Sequence, residues 1–479
     1  MTSLVARNLT ELDDAIRPAL AVSDGRVKVA NEERLRGDVC DRLAWTAVFS
    51  PDTLARDRAR WLLRAAAWEA GLRSASIHEL YAARGRGEVP SNFTVPAVNV
   101  RGPTYDVARA AFRAASRLSV GTLIFELARS EVGYTDQRPP EYAAVVTAAA
   151  LREGVRGPLF LQGDHYQFSP SKYPKDPNAE KSAIRALIDE SLAGGYRNID
   201  IDASTLVDLS KPTEREQQRV NATLTAEMTA HVRGAQPPGV TIGVGGEIGE
   251  VGKGNSRPEE LSAYVEELLE RLPAGARPGL SKVSVNTGSS HGGVVLPDGT
   301  IAKVKIDFSA LETLSRQARE LGMAGAVQHG ASTLPEDLFD KFPAAGAAEI
   351  HLATGFQNLL FDHPAFPEPL RQKVVAWTKA NCADERKPSD TEEQFVYKSR
   401  KKAMGPHKRE IWSLPDDARS AILKDMEAKF ELLFRKLAVI RTRELAARWA
   451  LSDPAPPPPP GVLAPRRPLD RGMAKDEGE

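Results

Sequence analysis

Pro158-Leu159-Phe160-Leu161-Gln162-Gly163-Asp164-His165 is the stretch that decides how this chain folds. It begins with an apolar run and ends with a carboxylate and an imidazole, a pattern typical of a buried strand that carries polar groups to its C-terminal end. Parallel α/β folds place their chemistry at that edge of the sheet. Because Asp-His pairs also occur in solvated loops, the prediction of a site depends on the same pattern recurring elsewhere.

The pattern does recur, because short apolar runs alternate with stretches of helical periodicity from residue 94 onward. Eight strands and the connections between them predict an α/β fold, a closed TIM (β/α)8 barrel. An open doubly wound sheet is the alternative, but no glycine fingerprint follows the first strand. The predicted strands are 95–100, 122–128, 159–163, 198–203, 241–246, 282–287, 325–328 and 349–353. The predicted helices are 105–118, 142–153, 181–194, 214–233, 258–272 and 308–321.

The barrel is expected to carry helical extensions at both ends of the chain. The N-terminal extension covers residues 1–90, the barrel 91–362 and the C-terminal helical region 363–450, with one long amphipathic helix over 416–449. The proline-rich tail, 451–479, is expected to be extended and disordered. The basic run 398–402 is either a solvated helix face or a site for phosphate or a partner.

Composition excludes several classes of function. The 64 basic and 64 acidic residues cancel, so no overall field attracts nucleic acid or a membrane surface, and an anion must be held locally. Cys40 and Cys382, the only two cysteines, indicate a reducing compartment without disulfides. The N-terminus lacks a long apolar segment, and no stretch approaches the roughly 18 to 20 apolar residues of a membrane span. We therefore expect a cytoplasmic protein that binds neither nucleic acid nor a membrane.

Four of the eight histidines fall at or shortly after the ends of predicted strands. The strand ends of a barrel converge on one mouth, so residues far apart in the sequence can meet around one ion. Three imidazoles, or two with a carboxylate, and one open position form a catalytic zinc site. The candidate ligands are His165, Glu247, His291 and His329. The alternative is that each histidine is an independent, hydrogen-bonded structural residue.

Glycines and hydroxyl side chains cluster at the same strand ends, in the segments 245–246, 288–293 and 330–333. Glycine lets the backbone approach a ligand closely, and turn N–H groups with hydroxyls bind an anion without net charge. The late strands of barrels commonly hold phosphate. The pattern therefore favours a phosphate site, with tight turns alone as the alternative.

These ordered motifs resemble the class II zinc-dependent ketose-bisphosphate aldolases, from about residue 82 to residue 361. The resemblance implies a lyase that cleaves a ketose bisphosphate reversibly, fructose-1,6-bisphosphate before others, into dihydroxyacetone phosphate and an aldehyde such as glyceraldehyde 3-phosphate. It places the enzyme in carbohydrate metabolism such as glycolysis and implies a homo-oligomer, a dimer or larger. The motifs are Val95-Pro96-Ala97-Val98-Asn99-Val100, Gln162-Gly163-Asp164-His165, Gly246-Glu247-Ile248-Gly249, Ser289-Ser290-His291-Gly292 and Gln328-His329-Gly330-Ala331-Ser332.

The resemblance also assigns roles to residues. It implies Zn²⁺, or another divalent metal in its place, on His165, Glu247, His291 and His329, and it makes Asp164 a catalytic acid/base. A carboxylate after the fifth strand would transfer a second proton; Glu250 is the first choice, with Glu259 or Glu260 as substitutes. Residues expected to hold the phosphorylated sugar are Asn99, Gly292, Gly330, Ser332, His351 and Thr354.

The eighth strand departs from the family pattern. The family ends it with Asn-Ile-Asp-Thr, whereas this chain has His351-Leu352-Ala353-Thr354. Two alternatives therefore stay open. One is a zinc aldolase for a different substrate. The other is a non-catalytic or chaperone-like barrel subunit of a tagatose-bisphosphate aldolase, which the segments 125–130 and 163–165 also resemble. Fructose and tagatose bisphosphates differ in the configuration of one hydroxyl, and the sequence favours neither.

Overall fold

The computed structural model describes residues 4–249, 254–288 and 306–460. Eight parallel strands form a closed barrel ringed by helices, so the predicted TIM-barrel fold is confirmed. All eight predicted strands are present, with their ends shifted by a few residues. They are β1 (Val95–Asn99), β2 (Ile124–Ala128), β3 (Gly157–Gln167), β4 (Asn198–Asp202), β5 (Gly243–Glu247), β6 (Lys282–Val285), β7 (Ala326–Gln328) and β8 (Glu349–Leu352).

The barrel closes because every strand is parallel to a neighbour on each side. β3 pairs with β2 and also with β4, while β8 joins β7 to β1. Since all eight strands run in the same direction, their C-terminal ends form a single mouth, and their N-terminal ends form the opposite opening. Polar residues at strand ends separated by long stretches of sequence are thereby brought to one place.

Helices fill most of the connections and cover the outside of the barrel. The six predicted helices are all found, with their ends shifted by a few residues. Short helices after β2, β7 and β8 were not anticipated, because four to eight residues carry little periodic signal. The helices from β1 onward are Thr104–Arg117, Arg129–Tyr134, Pro139–Arg152, Pro177–Gly194, Glu214–Ala235, Pro258–Arg271, Phe308–Glu320, Lys341–Ala344 and Thr354–Phe361.

The N-terminal extension is mostly helical but also contains three strands. Its hairpin turns at Asp24-Gly25, where both residues have positive φ (49° and 70°), as the tight turn of a two-residue hairpin requires. The third strand extends the edge of β3 near its start. The helices are Leu9–Ile16, Glu32–Arg34, Cys40–Phe49, Thr53–Glu69 and His78–Gly85, with a π-helical turn at Leu35–Val39, and the strands are Leu20–Ser23, Arg26–Val29 and Leu72–Ser76.

The helix His78–Gly85 closes the N-terminal opening of the barrel. His78 Nδ1 lies 2.8 Å from Ser281 Oγ, just before β6, and the Tyr81 hydroxyl donates to Glu349 at the start of β8 (2.5 Å). Arg84 is 1 % exposed, and its guanidinium donates to four backbone carbonyls before β1 and β8. The extension is therefore attached to the barrel by buried polar contacts as well as by apolar packing.

The C-terminal region packs further helices against the barrel. The single helix predicted over 416–449 is wrong, because the chain breaks at 437–442, where Ala438 and Arg441 have positive φ. Tertiary contacts make this break, since the Thr442 hydroxyl accepts from the backbone N–H of Gly121 and Thr122. The helices are Glu368–Asn381, Glu392–Ser399, Lys408–Trp412, Asp416–Lys436 and Arg443–Trp449.

The predicted basic run and proline-rich tail make specific contacts. Arg400 pairs with Asp362, and Lys398 pairs with Asp390, so these cations help to fix the C-terminal region. Leu451–Ser452 forms a short antiparallel strand with Leu72–Ser76.

Among the described residues, no helix is long and apolar enough to span a membrane.

Replacing Arg84 with methionine tests the attachment of the closing helix. Methionine keeps much of the aliphatic volume but removes all four of the hydrogen bonds that the guanidinium makes to backbone carbonyls. We expect Arg84→Met to lower the free energy of unfolding by about 3 kcal/mol, measured by urea denaturation. The control is Arg86→Met, whose partner Glu88 is also exposed; an equal loss in both variants would contradict the role assigned to Arg84.

Candidate active site

Asp164 and His165 are consecutive residues of β3, yet both lie at the mouth. In a regular strand, consecutive side chains point to opposite faces. Here the pairing of β3 with β4 shifts register between Gly163 and Tyr166, and His165 has a φ of +39°. This bulge redirects the side chains. Gly163 is required beside it, because an added Cβ would lie 2.4 Å from the Tyr166 ring.

Polar neighbours hold both carboxylate oxygens of Asp164. Asn99 Nδ2 donates to Oδ2 (3.0 Å), and His351 Nδ1 lies 2.9 Å from Oδ1. Burial alone would raise the pKa of the Asp164 carboxyl, but the imidazoles of His165 and His351 outweigh burial and hold this pKa below its usual value. Asp164 is therefore an ionised carboxylate in a fixed orientation, as a general base must be.

The imidazoles of His165 and His329 face each other across the mouth. Nε2 of His165 lies 2.9 Å from Nδ1 of His329. On its other side, Nδ1 of His165 lies 3.2 Å from Asp202 Oδ2 and 3.0 Å from Glu247 Oε2. Nε2 of His329 lies 2.9 Å from Ser284 Oγ. Each ring is thus oriented by a polar partner on its outer nitrogen, while its inner nitrogen faces the other ring.

This arrangement fits a divalent metal ion. A histidine that ligates a metal usually donates its other N–H to a carboxylate, and His165 has two carboxylates in that position. Together, Asp164, His165 and His329 offer ligand atoms that all lie within 4.8 Å of one another. Two imidazole nitrogens with a carboxylate oxygen form a donor set that suits zinc.

Glu247 lies on the opposite side of the His165 ring from His329. It belongs to a second group of possible ligands, with His165 and Asp202. In this arrangement the Glu247 carboxylate orients His165. That Glu247 is itself a metal ligand stays a prediction. Glu250, His291 and Gly292 lie outside the described residues, so the roles predicted for them also stay predictions.

His351 is predicted to contact substrate, but its contacts in the structure are with buried carboxylates. Nδ1 lies 2.9 Å from Asp164 Oδ1 and 3.2 Å from Glu126 Oε1, and Nε2 lies 2.7 Å from Glu349 Oε1. Burial would lower the pKa of this imidazole, but Glu126 and Asp164 outweigh burial and raise it. The ring therefore reaches Asp164 from inside the barrel and orients it.

Of the predicted phosphate residues, Gly330, Ser332 and Thr354 follow the ends of β7 and β8. Ser332 Oγ accepts the backbone N–H of Ala353 (2.7 Å), next to Thr354. Gly330 has a φ of +67°, a conformation that favours glycine. The sequence analysis missed Arg101, whose Nη1 lies 3.5 Å from Thr354 Oγ1. Arg101 is buried and paired with Glu131, and it brings guanidinium N–H donors to the predicted phosphate residues.

Below the mouth, charged side chains fill the barrel interior. We call Glu126, Asp200, Lys282, Glu349 and His351 the interior cluster; all five are buried. The sequence analysis missed four of them. For Asp200 the signal was available in β4, which reads Asn-Ile-Asp-Ile-Asp over 198–202. Polar residues at every second position of a buried strand share one face, and in this barrel that face is the inside.

Comparison with known proteins identifies the family of the chain. The sequence model for the class II fructose-bisphosphate aldolases matches residues 89–411, which include all eight barrel strands. No curated protein sequence matches the chain.

Several solved structures resemble the chain. A probable tagatose 6-phosphate kinase from Sinorhizobium meliloti is 19 % identical with a TM-score of 0.51, covering 74 % of this chain and 100 % of its own. A putative fructose-1,6-bisphosphate aldolase from Coccidioides immitis is 17 % identical with a TM-score of 0.44, covering 76 % and 96 %. The fructose-bisphosphate aldolase of Campylobacter jejuni is 17 % identical with a TM-score of 0.46, covering 78 % and 97 %. At 19 % identity, the likeness to the Sinorhizobium meliloti protein concerns the fold alone.

Removing one imidazole tests the metal site. We expect His329→Gln to weaken zinc binding by at least about 100-fold. The loss of a residue that only orients a ligand commonly lowers metal affinity 10- to 100-fold, and the loss of a ligand itself should lower it further. Bound zinc is measured by elemental analysis after equilibration with a metal buffer. His363→Gln is the control, since His363 contacts Asp425 on the outside of the barrel. Unchanged affinity in His329→Gln would remove His329 from the ligand set.

Proposed function

The chain belongs to the class II fructose-bisphosphate aldolase family, and from that premise we propose that it is a metal-dependent aldolase. It cleaves a ketose bisphosphate reversibly, with fructose-1,6-bisphosphate as the expected substrate. The products are dihydroxyacetone phosphate and glyceraldehyde 3-phosphate. We further propose that it acts in the cytoplasm as a homo-oligomer with zinc as the resident metal.

One observation carries the proposal, namely that an oriented carboxylate lies beside two converging imidazoles at a barrel mouth. Asp164 has both oxygens held, and the inner nitrogens of His165 and His329 are 2.9 Å apart. Aldol cleavage requires two functions. One is a base that accepts a hydroxyl proton, which the carboxylate can be; the other is an electrophile that polarises a carbonyl, which a metal ion held by the imidazoles would be. His291, beyond the described residues, is the proposed third imidazole.

Each residue has a distinct task. When bound, zinc supplies the positive charge that polarises the substrate ketone. Asp164 accepts the proton of the hydroxyl that becomes the aldehyde oxygen, and Asn99 keeps the carboxylate turned towards that hydroxyl. Glu250 is proposed to transfer the second proton, at carbon.

The ketone-side phosphate is proposed to bind at the ends of β7 and β8. Gly330, Ser332 and Thr354 offer turn amides and hydroxyls there, with Gly292 completing the set. The guanidinium of Arg101, which is paired with Glu131, lies next to the Thr354 hydroxyl and would add N–H donors for a phosphate there. This supports a phosphorylated ketose as substrate.

A second candidate function is a zinc aldolase for a different substrate, which His351 favours. Its ring contacts Asp164 and Glu349, at a position where the family has an asparagine that helps to hold substrate. The third, a non-catalytic partner subunit, predicts a protein without turnover that co-purifies with a second chain.

Cleavage of fructose-1,6-bisphosphate by the purified chain, coupled to NADH oxidation through the triose phosphates, tests the proposal. We expect activity that disappears on chelation and returns when zinc is added. The chelator removes only the metal, and the imidazole ligands stay in place to bind it again. Tagatose-1,6-bisphosphate and fructose 1-phosphate, assayed alongside, report on stereochemistry and on the second phosphate. Absence of turnover with every ketose phosphate, despite one bound zinc per chain, would contradict the proposed function.

Asp164→Asn tests the role of the carboxylate separately from the metal. The amide is nearly isosteric but is a poor base, so we expect kcat to fall by about 10³-fold or more with bound zinc unchanged. Elemental analysis of the same sample provides the control. Loss of zinc together with activity would instead make Asp164 a ligand, since one of its oxygens lies within 4.8 Å of a nitrogen of each imidazole, His165 and His329.

A further inference from the structure

Lys282 lies at the start of β6, in the middle of the interior cluster. Its ammonium donates to Gln162 Oε1 (2.8 Å), lies 2.9 Å from Asp200 Oδ2 and contacts Glu349 Oε1. The side chain is 3 % exposed. Gly245 makes this position possible, because an added Cβ would lie 2.2 Å from Asp200 Oδ1 and 2.9 Å from Lys282 Cε.

A continuous chain of contacts leads from Lys282 to Asp164. Glu349 Oε1, which touches the ammonium, also lies 2.7 Å from Nε2 of His351. Nδ1 of the same ring lies 2.9 Å from Asp164 Oδ1. The two nitrogens of an imidazole are on opposite sides of a rigid ring, so the position of Glu349 sets the direction in which His351 meets Asp164.

Tyr81 holds the other oxygen of Glu349. Its hydroxyl donates to Oε2 at 2.5 Å, and the ring is 1 % exposed. Tyr81 belongs to the helix His78–Gly85, which precedes the family-matched residues 89–411. A residue of the N-terminal extension thus takes part in the same chain of contacts.

Charge explains why the ammonium is needed. Glu126, Asp200 and Glu349 are buried carboxylates that converge with His351, their ligand atoms lying within 4.8 Å of one another. Unpaired carboxylates at such distances in a low-dielectric interior repel strongly. Without the ammonium, Glu349 would have to move or take up a proton, and either change would disturb its contact with His351.

We propose that Lys282 and Tyr81 are positioning residues of the active site: they fix Glu349, which fixes His351, which orients Asp164. Among the described residues, the hydrogen bonds and ion pairs of these two side chains go to Gln162, Asp200 and Glu349 and not to a proposed metal ligand. The inference rests on the proposed function, because it assigns Asp164 the role of general base. It adds to that function an internal cation and a residue from the N-terminal extension, both beneath the site.

Steady-state kinetics of Lys282→Met and Tyr81→Phe test the inference. Methionine keeps the length of the side chain without the charge, and phenylalanine removes one hydroxyl. We expect kcat to fall by about 100-fold in Lys282→Met and about tenfold in Tyr81→Phe. KM should stay within about threefold, with bound zinc equal to that of the wild type. A displaced base slows the proton step without changing substrate binding.

Two control variants separate positioning from stability. Lys408→Met removes another buried lysine, which contacts Glu141, and Tyr105→Phe removes another buried hydroxyl, which donates to Asp41 (2.6 Å). Both should lower the melting temperature as much as their counterparts and leave kcat unchanged. If Lys282→Met and Tyr81→Phe also lose only stability, or change KM instead of kcat, the inference is overturned.

A measurement independent of turnover distinguishes this inference from the proposed function. In spectra of protein labelled with ¹⁵N-histidine, the His351 ring N–H signals, assigned by their loss in His351→Asn, should shift in Lys282→Met and Tyr81→Phe. They should be unaffected in the two controls. Unshifted signals overturn the positioning chain even if the aldolase activity is established. If Lys282→Met does not fold, Tyr81→Phe alone decides, because the same chain of contacts requires its signals to shift.

Discussion

The structure depends on pairing the charges that line the inside of the barrel. Carboxylates of β2, β3, β4 and β8 point inward, and one lysine of β6 lies among them. Burying an unpaired carboxylate costs several kcal/mol, so these side chains constrain one another strongly. The fixed position of Asp164 at the mouth is a result of this pairing as much as of its strand.

Burial and pairing act in opposite directions on these groups, and the balance differs from residue to residue. Burial raises the pKa of Asp200 to about 6, whereas at Glu349 the combined effects of Lys282, His351 and Gln162 outweigh burial and lower the pKa to about 2. Two carboxylates beside the same ammonium therefore differ in acidity. Of these two, Glu349, whose carboxyl is the more acidic, lies within hydrogen-bond distance of His351, so the carboxylate that more readily stays ionised is the one nearer to the active site.

The sequence predicts the barrel well because its signals are local. Apolar runs and turn residues locate all eight strands, and the Asp-His pair with His329 identifies the mouth. Three features depend on tertiary contacts instead. The bulge at His165 comes from pairing with β4, the break at Ala438 from contacts of Thr442, and the role of Lys282 from side chains on three other strands. Alternation of polar and apolar residues in β4, β6 and β8 was a local hint of a polar interior; it shows which side chains share a face but not which of them pair.

Because the helix His78–Gly85 closes the barrel, it limits how far the chain can be shortened. The family-matched region begins at residue 89, after Tyr81 and Arg84, which seal the N-terminal opening. A polypeptide trimmed to that region would admit water to the carboxylates at the barrel axis. The family-matched region, 89–411, is therefore smaller than the unit that the buried contacts define in this chain, and the bounds of the match alone are a poor guide for excising that unit.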